Sequence, residues 1–265
     1  MSGQVAGIFR HPVKGFTPEP LDVVHLAPDE GFPHDRVWAV ENGPSDFDPA
    51  APAFVPKRQF TVLAYIAKVA AARTRYDAST GVLHATGPGG REFAGRLADS
   101  EARTAFAAWL TELLGEEATG PLRVVEAPGE HRFTDHPLGQ VSIVNLASVR
   151  ELGQRMGVEL DPLRFRANLY VEGWPAWAEH DWTGKRLMLG WAQAQVFKSI
   201  VRCAATHVDP TTSVRDLEIT KALFDAYGHT LCGFYVRITS AGAVGLGDAV
   251  TMPQTEPRAE TSEWA

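Results

Sequence analysis

At 265 residues and 28.8 kDa, with 45% hydrophobic residues, the chain can build one large cored domain or two small ones. A charged fraction of 22%, with 24 Gly and 18 Pro, excludes a disordered or collagen-like body. The net charge of −7 excludes a general nucleic-acid binder, whose footprint is basic, and requires any anionic ligand to meet cations gathered locally.

The opening MSGQVAGIFRHPVKG has no basic segment leading into a long apolar run. Nowhere do about 18 apolar residues follow one another, so the expectation is a cytoplasmic chain with no membrane association. Short β-rich runs at 3–13, 21–26, 36–42, 64–74 and 82–87 are broken by Pro, Gly and Asp clusters, which predicts a barrel or sandwich. Residues 43–56 form a Pro-rich loop read as a surface excursion without chemistry. Over 99–115 the period becomes helical, through Ala102, Phe106, Trp109, Leu110 and Leu113, with Gly115 as the stop. Further helices are predicted over 145–157 and 216–228. Strands resume at 186–190, 194–201 and 234–250, the last as two strands joined near residues 240–242. The fold class is therefore mainly β with a few helices (α+β). Its expected parts are a first domain at 1–98, a bridging helix at 99–119, a second domain at 120–252 and a polar acidic tail at 253–265.

No phosphate-binding glycine loop is present: GPGG at 87–90 lacks the Lys-Ser/Thr continuation, and GLGD at 245–248 does not open a helix. There is no G-x-S-x-G elbow and no H-E-x-x-H helix, and His131 and His136 read as surface histidines. The chemically dense stretch is VRCAATHVDP at 201–210, where Cys203 follows Arg202 and precedes Thr206, His207 and Asp209. A thiol beside a cation is the setting in which thiolates attack electrophiles or bind metals. The only two cysteines, Cys203 and Cys232, are too few for a disulfide framework. Three readings compete on the residues alone. A closed zinc site would use Cys203, His207, His229 and Cys232. A Cys-His hydrolase would pair Cys203 with a histidine. The third reading takes in the whole second half.

FRAN at 165–168, EHDW at 179–182, RCAATHVDP at 202–210, CGFYVRI at 232–238 and VGLGDAV at 244–250 run in the order of signatures of the MOSC family, which this chain resembles. The family patterns are FRPN, E-D-x-W, R-C-x-x-T-x-V-D-P, F-G-x-Y and V-G-D-x-V. In the first half HPVKG at 11–15, HDRVWAV at 34–40 and KRQFTVLAYI at 57–66 resemble the N-terminal β-barrel domain of MOSC proteins of the amidoxime-reducing kind. Gly15 stands where Ser is usual and gives up any ligand contact through that hydroxyl. Ala167 replaces Pro, and the usual DP-x-TG reads DPTTS.

The resemblance implies an N-terminal β-barrel and a MOSC β-barrel enclosing a molybdenum cofactor in its molybdopterin form. Cys203 would be the catalytic residue and protein ligand of the metal, a soft ligand for a soft site. Lys14, Arg36, Arg58 and Arg166 would meet the pterin's phosphate, with Arg202 beside the thiol. Asn168 and Thr206 would hydrogen-bond the pterin or shape the Cys203 loop. Asp209 would do the same or serve only as a turn former ahead of Pro210. Tyr235 would face the metal's oxo side or lie in the core. The implied activity is reduction of small N-hydroxylated compounds. No pyridoxal-phosphate module is expected, and two cysteines cannot hold an iron–sulfur cluster. Electrons would come from a separate ferredoxin, flavoprotein reductase or cytochrome. A non-catalytic cofactor-binding or sulfur-carrier protein and the Cys2His2 zinc protein remain the alternatives.

Overall fold

The computed structural model describes residues 2–137 and 141–252; the tail expected from residue 253 lies outside them. In chain order the first half gives β1 (Ser2–Arg10), β2 (Glu19–Pro20), β3 (Val23–Leu26), β4 (Trp38–Asn42), β5 (Arg73–Asp77), β6 (Val82–Gly87), β7 (Arg91–Arg96), α1 (Ser100–Leu114) and β8 (Leu122–Glu126). The second half gives β9 (Val141–Asn145), α2 (Leu146–Met156), β10 (Leu169–Glu172), β11 (Arg186–Leu189), β12 (Ala192–Val201), α3 (Ile219–Tyr227), β13 (Leu231–Ser240), β14 (Gly242–Gly245) and β15 (Ala249–Thr251).

Seven strands close on themselves in the order β10-β9-β13-β12-β11-β15-β1, with β1 pairing back to β10 and β2 attached outside on β1. Closure leaves no free edge in the ring. The alternation of Ala192, Ala194 and Val196 on β12 with exposed glutamines turns one face inward. Phe234, Val236 and Ile238 of β13 and Val5 and Ile8 of β1 meet them in one apolar core. Trp174 and Trp182 seal that core edge-on at 4.6 Å. The first half folds the three-stranded β5-β6-β7 sheet and the β4-β8 ribbon around Trp38, Val40, Leu83, Phe106 and Leu110. Together these make a mainly β molecule with three α-helices among the described residues, as the sequence implies.

The predicted helices form close to their expected limits, and each stop has a visible cause. Asn145 caps α2 by accepting from the Ala147 N–H at 3.0 Å. Gly157 and Gly228 end α2 and α3 in the left-handed region. The strand expected at 64–74 does not form as such. Leu63, Ile66, Val69 and Ala72 are all buried at a spacing of three, so the chain winds a 3-10 turn at Ala67–Ala71 and pairs as a strand only from Arg73. The expected pair at 234–250 is three strands, because β14 leaves β13 to pair with β3 and β15 joins β1 and β11.

Those pairings also cross the junction expected near residues 99–119. β1 is a stave of the barrel otherwise built by the second half, and β3 pairs with β14. α1 does not bridge: its buried face, including Phe106, Trp109 and Leu110, lies in the core of the first half, and β8 after it pairs with β4. Among the described residues no helix is long and apolar enough to cross a membrane. A fragment starting at Gly120 lacks β1 and β3, leaving β10 and β15 with open edges. It is expected to be molten or aggregated by circular dichroism and light scattering, and to gain structure on addition of a peptide spanning residues 2–26.

Candidate functional site

Cys203 lies just beyond β12, at the start of the 3-10 turn Ala204–His207. The Cys203 carbonyl accepts from both the N–H and the hydroxyl of Thr206, each at 3.0 Å, so Thr206 shapes the turn rather than reaching outward. The thiol opens onto a cleft of about 310 Å³ lined from both halves of the chain. Lys14, Arg36 and Lys57 enter from the first half, and Arg164, Arg166, Lys198 and Arg202 from the second. Asp135 is the one carboxylate among the lining residues. A chain of net charge −7 has thus concentrated seven cations around one thiol.

The cluster is built, not incidental. Arg36 and Arg166 both hold left-handed backbone, at φ 51° and 52°, a conformation that costs non-glycine residues about 1–3 kcal/mol and collects at functional sites. Asp35 pairs with Arg36 Nη1, and Arg36 Nη2 donates to the Arg166 carbonyl at 3.1 Å. Arg166 Nη2 donates to the Phe16 carbonyl at 2.7 Å. Burial, and then the neighbouring Arg36, bring Arg166 down to about 10, the mark of two like charges kept close without a full counter-ion. Lys14, 3% exposed, donates to the Phe133 carbonyl at 2.9 Å and to Asp135 Oδ1 at 2.5 Å. Burial lowers its pKa against the pull of Asp135. Lys57 lies 3.6 Å from Asp135 Oδ2 and lines the same cleft as Cys203. Burial opposes its charge, but Asp135 and then Cys203 outweigh that and raise it.

Arg202 is the most telling of the seven. Its Nε donates to the Cys232 carbonyl and its Nη1 to the Phe165 carbonyl, both at 2.7 Å, while the guanidinium lies 5.2 Å from the Phe165 ring centroid. Its Nη2 is buried without a hydrogen-bond partner among the described residues, and so is Arg164 Nε. Buried donors left unmade are costly, and a ligand oxygen would complete them. Gly233 makes room here: at φ 74° it is left-handed, and a Cβ would fall 2.4 Å from the Ile143 carbonyl and 3.0 Å from Arg202 Nη2.

Of the residues the sequence singled out, the cleft gathers Cys203, Lys14, Arg36, Arg166, Asn168, Arg202, Thr206 and Tyr235. Asn168, however, spends its amide on Ser142 and the Phe9 carbonyl. Arg58 is not in the cleft. It sits on the 3-10 turn Lys57–Gln59, where neighbouring side chains diverge by about 120°, so Lys57 faces the cleft and Arg58 faces solvent. Asp209 is also outside it: its carboxylate accepts from Arg164 at 2.9 Å and from the N–H groups of Thr211 and Thr212 at 2.7 Å, the turn-former alternative. His136 borders the cleft rather than bare surface, with its ring 5.9 Å from that of Tyr235. Asp135, Arg164 and Lys198 lay outside the motifs, and Lys57 stood in one, KRQFTVLAYI, where Arg58 was singled out instead.

The departures from the family pattern have local reasons. Gly15 is at φ 91°, and a Cβ would stand 2.8 Å from the Thr61 carbonyl. Ala167 donates its N–H to the Tyr170 hydroxyl at 3.0 Å, a bond proline could not make. Ser213 takes the left-handed turn, at φ 63°, that suits the usual glycine. The zinc alternative fails on geometry. Cys232 is fully buried, which pushes its thiol up to about 12, and His207 is engaged by Thr220 at 2.8 Å. No group of three or more His, Cys, Asp or Glu among the described residues could hold a metal ion.

Residues 130–251 match the MOSC domain, and residues 2–119 match the MOSC N-terminal beta barrel domain. The chain belongs to the MOSC family. It is 28% identical over 122 residues to mitochondrial amidoxime reducing component 2 of Bos taurus, covering 42% of this chain and 36% of that protein. Over 120 residues it is 28% identical to mitochondrial amidoxime-reducing component 1 of Mus musculus, covering 41% and 35%. The matched stretch thus spans about a third of each of these curated relatives. The YUAD protein from Bacillus subtilis aligns over 94% of both chains with a TM-score of 0.46 and 15% identity.

Two outcomes follow from the cluster. In the metal-free MOSC protein, inorganic pyrophosphate is expected to bind, and Arg36→Ala or Arg166→Ala to weaken it about tenfold each, as one charge-assisted pair is worth. Lysine at either position should recover only part, and calorimetry reads the difference. The second concerns acid stability. His11 is fully buried against Asp35, and burial first, then Arg36, holds it down to about 3. Below pH 6.5 the unfolded chain takes up a proton that folded His11 refuses until about pH 3, so stability falls as pH drops through that window. Asp35, held at about 2 by Arg36 and His11 despite burial, extends the fall from its unfolded 3.8 down to 2. Denaturant titrations should show His11→Gln flattening the upper part of this limb and shrinking the lower part to the share that Arg36 alone supplies.

Proposed function

We propose that this chain binds the molybdenum cofactor in its molybdopterin form and reduces small N-hydroxylated compounds. The observation that carries the reading is the convergence of Cys203 with seven cations and two incomplete buried guanidinium donors on one cleft. That donor set fits the group: a thiol for a soft metal, and guanidinium and ammonium groups for a phosphate. The printed names of the two curated relatives, both amidoxime-reducing components, support the choice of reaction.

When bound, the cofactor would supply the two-electron chemistry that a chain of ordinary side chains lacks. The net change would be R–NHOH plus two electrons and two protons giving R–NH2 and water, with the electrons delivered by a separate redox protein. Cys203 would be the protein ligand of the metal. Arg36, Arg166 and Lys14 would hold the phosphate, their charged ends already aimed by Asp35 and by backbone carbonyls. Asp135 would trim the excess charge, so that the cleft binds an anion without demanding two. Lys57 would keep its ammonium beside the Cys203 sulfur. Tyr235, packed with its ring stacked on Phe197 at 6.0 Å, would form the wall opposite the thiol's turn.

Protein made in a cofactor-competent host should carry close to stoichiometric molybdenum by elemental analysis. It should reduce an amidoxime with an artificial electron donor. Cys203→Ala should lose activity by about 100-fold or more, the loss expected when a direct metal ligand goes. Cys232→Ala should keep it, with only a packing cost of about 1 kcal/mol. Molybdenum without turnover would favour a carrier of the cofactor, and no molybdenum in wild type would overturn the reading.

A further inference from the structure

The chain after Cys203 leaves the second half and seats on the first. Val208, 1% exposed, lies in the core formed by Val13, Leu63 and Phe106, with Ala205 packed beside it. Apolar contact of this kind is strong but non-directional, so it sets neither the angle nor the register of the loop. Direction comes from two arginines. Arg215 donates to the Ala204 carbonyl at 2.7 Å and to the Leu63 carbonyl at 2.6 Å. One guanidinium therefore joins the residue after Cys203 to a residue of the opposite cleft wall. Arg73 of β5 donates to the carbonyls of Pro210 and Thr211, farther along the same loop. The loop is itself stiff: Val208 bridges Arg215, and Arg164 forks onto Asp216 at 2.8 Å while reaching Asp209 at 2.9 Å.

We propose that Arg215 and Arg73 are positioning residues that clamp the Cys203 turn to the first half, and so fix the span between the thiol and Lys14, Arg36 and Lys57. This rests on Cys203 being the working group of the cleft, but it is a statement about the metal-free chain. A guanidinium suits the task because its planar fork satisfies two carbonyls at once, whereas an ammonium of similar charge has no such plane. All four bonds end on backbone carbonyls, so the clamp constrains the chain path and not the identity of any side chain it grips.

Fully buried Cys232 makes the test clean, because a bulky neutral maleimide reads Cys203 alone. Its rate would be measured at one pH on metal-free wild type, Arg73→Met, Arg215→Met, the double variant and Arg215→Lys. Losing the Arg215 pair should speed alkylation by about tenfold, the local opening expected when two net hydrogen bonds go. Arg73→Met should give a smaller rise, the double variant the largest, and Arg215→Lys an intermediate one. A purely stabilising arginine would lower the melting temperature and leave these rates alone. Rates within about twofold of wild type in all four variants, with native circular dichroism, would overturn the clamp. If Arg215→Met does not fold, Arg73→Met and Arg215→Lys decide by the same criterion. Because no metal is involved, loss of the molybdenum reading leaves this measurement standing.

Discussion

Like charges that must stay together in one cleft are the constraint around which this molecule is arranged. Seven cationic side chains line one cleft of a chain that is acidic overall. The chain holds them in three ways. Asp35 and Asp135 act as partial counter-ions to Arg36, Lys14 and Lys57, and Asp209 and Asp216 pair with Arg164. Backbone carbonyls of Phe16, Phe133, Phe165, Arg166 and Cys232 accept further donors. Two arginines take left-handed backbone, so that their side chains leave in directions an ordinary strand end does not offer. What is left over, two buried donors and a depressed Arg166, is an electrostatic debt that a bound anion would reduce.

The same constraint explains the interleaved topology. A cleft between two independent domains would open whenever their linker flexed. Here β1 is a stave of the second barrel, β3 pairs with β14, and Val208 is buried in the first half's core. Lys14 and Arg36 sit on the turns after β1 and before β4, tied to each other's segments by the bonds from Lys14 N–H to the Trp38 carbonyl and from Arg36 N–H to the His11 carbonyl. None of this was visible along the sequence, because periodicity reports which face of a strand is buried and not which strand lies next to it. Thus the stretches that became β1, β4, β6 and β12 were legible as β-rich runs between turn residues. The closure by β1 and the membership of α1 in the first core were not.

The site was legible where a motif carried it, at Cys203, Lys14, Arg36, Arg166 and Arg202. It failed at single-residue resolution. Lys57 and Arg58 are adjacent and chemically alike, and only the 3-10 turn decides which of them faces the thiol. Arg164 and Asp209 lie 45 positions apart in sequence, so their pairing had no local trace. Asp135, two residues from Phe133, owes its role to Lys14 folding back across 121 positions. Such residues are found by contact, and contact is what a linear pattern omits.

Acidity outside and positive charge inside also divide the work of recognition. An acidic exterior repels polyanions, whereas a recessed cationic cleft focuses its field on a small anion that can enter. Because the cations come from both halves, an anion seated among them adds cross-junction contacts that the unfolded chain lacks. Its binding free energy is therefore also stability of the junction, growing as RT ln(1 + [L]/Kd). Clamp and ligand then act on one coordinate, the width of the cleft. By the proposal above, Arg73 and Arg215 fix that width before any ligand arrives, which would lower the ordering cost a ligand must meet and leave more of its charge pairing as affinity.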